Sequence, residues 1–163
     1  MIDPGADERF AAVLSDMGTT MAEVVHPPAG GYRNAVRDGR TLYVAGHGPL
    51  RAGRPAHRGR VPSTVGVEEA QAAARLTAAN CLATIAGELG SLDRVEAVVK
   101  VLGMVNADPD FDRHPLVIDG ASHLLTEVLG GRGVHARSAV GMASLPFGIP
   151  VEVELILRVA DDR

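Results

Sequence analysis

Phe10, Val13, Leu14 and Met17 recur at helical spacing and predict a helix over residues 6–17, with Gly18 as its stop. The Pro27-Pro28-Ala29-Gly30-Gly31 segment that follows reads as a linker. Two short runs of β character come next, at 32–36 and 41–45. Asp38-Gly39 between them signals a tight hairpin, because a primed turn needs positive φ. An arginine-rich loop then runs to about Ser63. Beyond it Val67, Ala70, Ala74, Ala78, Cys81, Leu82, Ile85 and Leu89 form a helical stripe, capped by Ser63 or Thr64 and ended by Gly90. The alanines in that stripe let the helix lie close against a sheet. Residues 95–105 are dominated by β-branched side chains and predict a strand.

Asp108-Pro109-Asp110 turns the chain, and Pro115 suits the first turn of a second long helix. That helix carries Val117, Ile118, Ala121, Leu124, Leu125, Val128 and Leu129 before Gly130-Gly131 ends it. Two final strands are expected, over 135–143 and 151–159, joined through Leu145-Pro146-Phe147-Gly148. In the last one Val151, Val153, Leu155, Leu157 and Val159 share one face, and Glu152, Glu154, Ile156 and Arg158 the other, as a half-buried strand requires. The order helix, ββ, α, β, α, ββ specifies an α+β domain: a mixed sheet with two helices packed on one face, plus an extra N-terminal helix. The expected organisation is an N-terminal helix and linker over 1–29 and a single domain over 30–163, with no internal repeats.

Composition narrows the function classes. The chain has 163 residues, enough for one domain with a real core, and its 46% hydrophobic and 22% charged content is that of an ordinary globular protein. A formal charge of −4 gives no electrostatic reason to bind nucleic acid. The local exception, Arg51, Arg54, His57, Arg58 and Arg60, reads as a solvated loop from its Gly and Pro content. Cys81 is the one cysteine, so no internal disulfide forms, and its apolar neighbours predict a buried, inert thiol. Met1 to Phe10 carries Asp3, Asp7 and Glu8 and no apolar run, unlike a signal peptide. No stretch approaches the roughly 20 apolar residues of a membrane helix. A cytoplasmic protein without membrane contact is expected.

The chain lacks GxxxxGK[ST], a GxGxxG following a strand, GxSxG and HExxH. Its six histidines are scattered without ligand spacing, so no metal site is expected. Three places hold candidate chemistry. Strand alternation puts Arg137 on the face of Ala139 and Gly141, where a guanidinium among small residues has room to grip a planar carboxylate at two points. His47 ends a strand in a Gly-rich turn, where a side chain can face a cleft. Glu152 and Glu154 share one strand face. A plain exposed arginine, a turn-packing histidine and a solvated glutamate pair are the alternatives that these residues leave open by themselves.

The block Ala136-Arg137-Ser138-Ala139-Val140, then Leu145-Pro146 and Val151-Glu152-Val153-Glu154, resembles the C-terminal signature of the RidA (YjgF) family. Gly31-Tyr32…Ala35-Val36, Val44-Ala45-Gly46-His47-Gly48-Pro49-Leu50, Asn80…Leu92-Asp93…Val98-Val99-Lys100 and Asp108…Asp110-Phe111 look like the family's remaining blocks, in order, over about 30–158. The longer inserts and Gly120-Ala121-Ser122 resemble the branch described as chorismate-mutase-like. The resemblance implies a chorismate-mutase-like fold assembled as a homotrimer, with three clefts between subunits. It further implies hydrolysis of reactive enamines and imines to 2-oxo acids and ammonia, with no metal or organic cofactor. By residue, it implies that Arg137 clamps the substrate carboxylate, Glu152 helps position the attacking water, and Tyr32, Ala45, Gly46 and His47 line the cleft.

One block departs from the family. Active members usually show Ser-Gly-Gln where this chain has Ala45-Gly46-His47, which removes a hydroxyl and exchanges an amide. Asp119 or His123 stands near the place of the family's helix asparagine. The expected function is therefore an imine/enamine deaminase acting on a small carboxylate-bearing metabolite. A non-catalytic binder of such metabolites is the alternative. The ribonuclease label attached to parts of the family (endoribonuclease L-PSP) fits poorly with an acidic chain of 3% aromatic residues.

Overall fold

The computed structural model describes residues 5–161; Asp3 and the two chain ends lie outside the described residues. The elements are α1 (Ala6–Asp16), α2 (Met21–Val24), β1 (Ala35–Asp38), β2 (Thr41–His47), β3 (Leu50–Arg51), β4 (Arg54–Pro55), α3 (Val67–Leu89), β5 (Val95–Asn106), α4 (His114–Leu129), β6 (Ala136–Met142) and β7 (Val151–Val159). The α+β architecture follows the hydrophobic pattern closely. Five strands form one mixed sheet in the order β1-β2-β7-β5-β6, with α3 and α4 packed on one face. Only β5 and β6 run parallel, and α4 with its flanking turns makes that crossover.

The alternation of β7 decides the two faces of the sheet. Val151, Val153, Leu155, Leu157 and Val159 are buried under the helices, while Glu154 and Arg158 are exposed on the open face. Gly103 of β5 lets α4 come close: a Cβ there would lie 2.5 Å from Ile118. Gly120 plays the same part between helices, since its Cβ would overlap the backbone oxygen of Gln71. The hairpin turn forms at Gly39, with φ +57°.

Local competition redraws several boundaries. β1 starts at Ala35, not Tyr32, because the preceding residues fold into turns instead. There Ala29 N–H donates to the Tyr32 hydroxyl at 3.3 Å, and the Asn34 amide donates to the His26 carbonyl at 2.8 Å. Gly66 caps α3, not Ser63 or Thr64, since the Thr64 hydroxyl accepts from the Arg60 backbone at 2.6 Å and closes a turn upstream. The arginine-rich loop contains the small β3–β4 hairpin, and its Arg60 is tied down by Asp108 at 3.1 Å and by the Ala107 and Ala143 carbonyls. Helix α2, capped by a Thr20/Glu23 capping box, has no counterpart in the sequence reading.

The N-terminal helix shares the main core. Phe10, Val13 and Leu14 are buried in the same cluster as the sheet and helices. Asp93 caps α1 from a distance by accepting from Ala6 N–H at 2.9 Å, and Asp7 accepts from Leu92 N–H at 2.8 Å. Cys81 is fully buried, and burial pushes its thiol far above the usual range. Among the described residues no helix is long and apolar enough to cross a membrane.

Candidate functional site

The strand registers place the candidate residues in two separate groups. Val101 pairs with both Leu155 of β7 and Arg137 of β6, so Arg137 belongs to the helix-covered face. Met104 pairs with Glu152 and Val140, which puts Glu152 on the open face. Within one chain the structure therefore separates Arg137 from Glu152 by the thickness of the sheet. The sequence alternation gave each residue its own face; only the pairing relates those faces to each other.

The Glu152 group surrounds a cavity of about 130 Å³ at the end of β2. Tyr32, Gly46, His47 and Glu152 line it; Ala45 is not among the lining residues. Gly46 is required there, because a Cβ would collide with the Glu152 carboxyl. Burial, then the neighbouring charge of Glu154, pushes the Glu152 carboxyl above the ordinary carboxylate range. Asn80, buried in α3, donates to the Leu50 carbonyl at 3.1 Å and so fastens the turn on one side of the cavity.

His47 is 3% exposed, and both of its ring nitrogens are engaged. Its Nδ1 lies 2.6 Å from the Ala45 carbonyl, which assigns the proton to Nδ1; its Nε2 accepts from the Thr84 hydroxyl at 2.8 Å. Burial holds this imidazole below its usual range, and so neutral. His47 presents ring surface to the cavity rather than a free nitrogen.

Two cavity residues had no sequence signal. His26 arrives from the segment before β1, with its ring centroid 5.8 Å from that of His47. Phe147 is 62% exposed with φ +59°, a left-handed conformation that costs about 1–2 kcal/mol for a residue with a side chain. The Pro146 and Gly148 that flank it mark a turn but do not say which way a ring would point.

The Arg137 group sits where edge strand β6 meets α4. Arg137 Nη1 donates to Asp119 Oδ1 at 2.8 Å and to Ser122 Oγ at 3.0 Å, and Nη2 donates to the Pro115 carbonyl at 3.3 Å. His135 extends the chain of contacts, with Nδ1 2.6 Å from the Gly133 carbonyl and Nε2 2.9 Å from Ser122 Oγ. The pattern fits a neutral ring, and burial, opposed by the Gly133 contact and aided by Arg137, lowers its pKa. The Arg137 side chain keeps 20% of its surface exposed and is oriented by one edge of its guanidinium. The sequence marked neither His135 nor Ser122 as a partner of Arg137. Of the two candidates near this position, Asp119 is the contact.

A family model described as YjgF/chorismate mutase-like, putative endoribonuclease, matches residues 12–156. The chain is 38% identical over 155 residues to Protein TCP17 of Trypanosoma cruzi, covering 94% of this chain and 96% of that protein. The crystal structure of Atu1372 from Agrobacterium tumefaciens, a protein with unknown function, superposes with a TM-score of 0.85 at 39% identity, covering 95% of each chain. Escherichia coli TdcF, solved with bound serine, shares the fold with a TM-score of 0.63 at 19% identity, covering 86% of this chain and 96% of that one.

Proposed function

The chain belongs to the YjgF/chorismate mutase-like family, that is, the RidA family, and from this premise we propose that it is a hydrolytic deaminase. Its substrates are reactive enamines and imines bearing a carboxylate, and its products are 2-oxo acids and ammonia. The observation that carries the reading is the desolvated Glu152 carboxyl, seated against Gly46 in a cavity that a small metabolite fits. A carboxylate whose pKa is raised is a better base towards water at neutral pH.

The active unit is a homotrimer whose clefts combine two chains. Arg137 and Glu152 face opposite sides of one sheet, so a shared site takes Glu152 from one subunit and Arg137 from the partner subunit. Two features of the single chain support assembly. β6 is an open edge of the sheet, and Val36, Tyr43 and Val99 are each about half exposed. Uncovered edges and apolar faces of this kind call for a partner.

In the reaction, Arg137 holds the substrate carboxylate while Glu152 takes a proton from water as the water oxygen bonds to the imine carbon. The C=N electron pair moves to nitrogen, which receives that proton from the Glu152 carboxyl. In the resulting carbinolamine the hydroxyl proton passes through Glu152 to the nitrogen, the C–N bond breaks as the C=O bond forms, and ammonia leaves. An imine is already electrophilic, so positioning and one proton acceptor suffice. The bound serine of TdcF supports a fold-level capacity for small amino-acid-like ligands.

The test is an imine panel generated in situ by an amino-acid oxidase, with light scattering on the same sample. Acceleration over spontaneous hydrolysis by a trimer is expected. A trimer that binds 2-oxo acids without accelerating any imine leaves a metabolite-binding protein, and a monomer at micromolar concentration overturns the composite cleft.

A further inference from the structure

We propose that His26, carried on the segment before the sheet, is a substrate-contacting residue that selects ligands with a hydrogen-bonding side chain. The assignment rests on the cleft described above and extends it to a residue outside the recognised sequence blocks. Three observations lead to it. The polar pair usual in the family is absent, since Ala45 has no hydroxyl and both nitrogens of His47 are consumed by Ala45 and Thr84. His26 lines the same cavity, anchored through its carbonyl by the Asn34 amide at 2.8 Å. Its Nδ1 is sealed from solvent and the Val24 backbone is the polar group beside the ring, which leaves Nε2 as the nitrogen that can meet a ligand.

The surroundings fix the chemistry of that contact. The His47 ring lies beside the imidazole, with centroids 5.8 Å apart and planes tilted at 51°. A neutral imidazole nitrogen exchanges one hydrogen bond and adds no charge, so it favours a hydroxyl or carboxamide over a carboxylate. Within one chain the cavity measures about 130 Å³, which a short side chain fits. The ligand class is therefore a small 2-imino or 2-oxo acid whose side chain ends in a hydroxyl or amide.

Two probes of equal heavy-atom count isolate the contact: 3-hydroxypyruvate and 2-oxobutyrate, which differ by a hydroxyl in place of a methyl. Calorimetry on the wild-type protein is expected to show about tenfold tighter binding of 3-hydroxypyruvate, the worth of one hydrogen bond. His26→Phe keeps a ring and is expected to erase the preference while binding 2-oxobutyrate within about twofold of wild type. His26→Leu carries the same expectation if phenylalanine does not fit, and His26→Gln, which can still donate and accept, should restore part of the preference. Persistence of the preference in His26→Phe or His26→Leu, or its absence in wild type, overturns the role of His26. Equal binding of both probes by wild type and Arg137→Ala instead overturns the underlying cleft.

Discussion

The two polar groups of this protein sit on opposite faces of one sheet and meet desolvation in opposite ways. At the β6 edge, Arg137 is matched by Asp119, Ser122 and the Pro115 carbonyl, and His135 continues the network to Gly133. Those contacts hold the group in place within the chain through Nη1 and Nη2, not Nε. At the end of β2, Glu152 is half-buried and its charged neighbour is the like-charged Glu154. A buried polar group left unmatched costs free energy, and folds retain such groups where a ligand or partner completes them. The contrast separates a pre-oriented cation from an unfinished pocket.

The largest expected effect breaks the chemistry of the unfinished side. Glu152→Gln should lower turnover by about 10²–10⁴-fold with 2-oxo acid affinity nearly unchanged, since the amide keeps size and a hydrogen-bonding oxygen but accepts no proton. Single-turnover rates and calorimetry on the same variant separate the two quantities. Equal losses in rate and affinity would make Glu152 a binding group only.

Removing the oriented cation comes next. Arg137→Ala should weaken 2-oxo acid binding by about 2–4 kcal/mol while the subunits stay folded and assembled. Arg137→Lys should recover little, because an ammonium lacks the planar fork. Gly46→Ala probes the geometry alone: the new methyl displaces the Glu152 carboxyl, and a shift of about 1 Å is enough to cost roughly 10²-fold in turnover. The melting temperature should move little, because a side-chain end gives way rather than backbone.

The smallest effect is a pH dependence with opposite signs on different groups. Burial holds His26, His47 and His135 below the ordinary imidazole range. Below about pH 6.5 the unfolded chain then binds protons that the folded chain refuses, so stability falls on acidification. Glu152 behaves oppositely: its raised pKa makes the burial cost greatest above the folded pKa and relieves it as pH falls. Melting temperatures of Glu152→Gln and wild type should differ at pH 7, with the variant slightly higher, and converge towards pH 4. A gap that widens in acid would contradict the desolvation of Glu152.

The sequence by itself determined the long helices, the main strands and their faces. Alternation in 151–159 and the helical stripes in 67–89 and 114–129 are set by spacing, which local geometry converts directly into burial. Motif blocks likewise marked Arg137, Glu152, Gly46 and Tyr32, since each lies in a locally patterned stretch. Tertiary structure alone decided the pairing. The insertion of β7 between β2 and β5, far apart in sequence, fixed which side of the sheet each marked residue occupies. The satisfaction of both His47 nitrogens, the pairing of Arg137 with Asp119 and the arrival of His26 in the cavity also join residues from different elements. Such contacts depend on three-dimensional closure, and no periodicity along the chain encodes them.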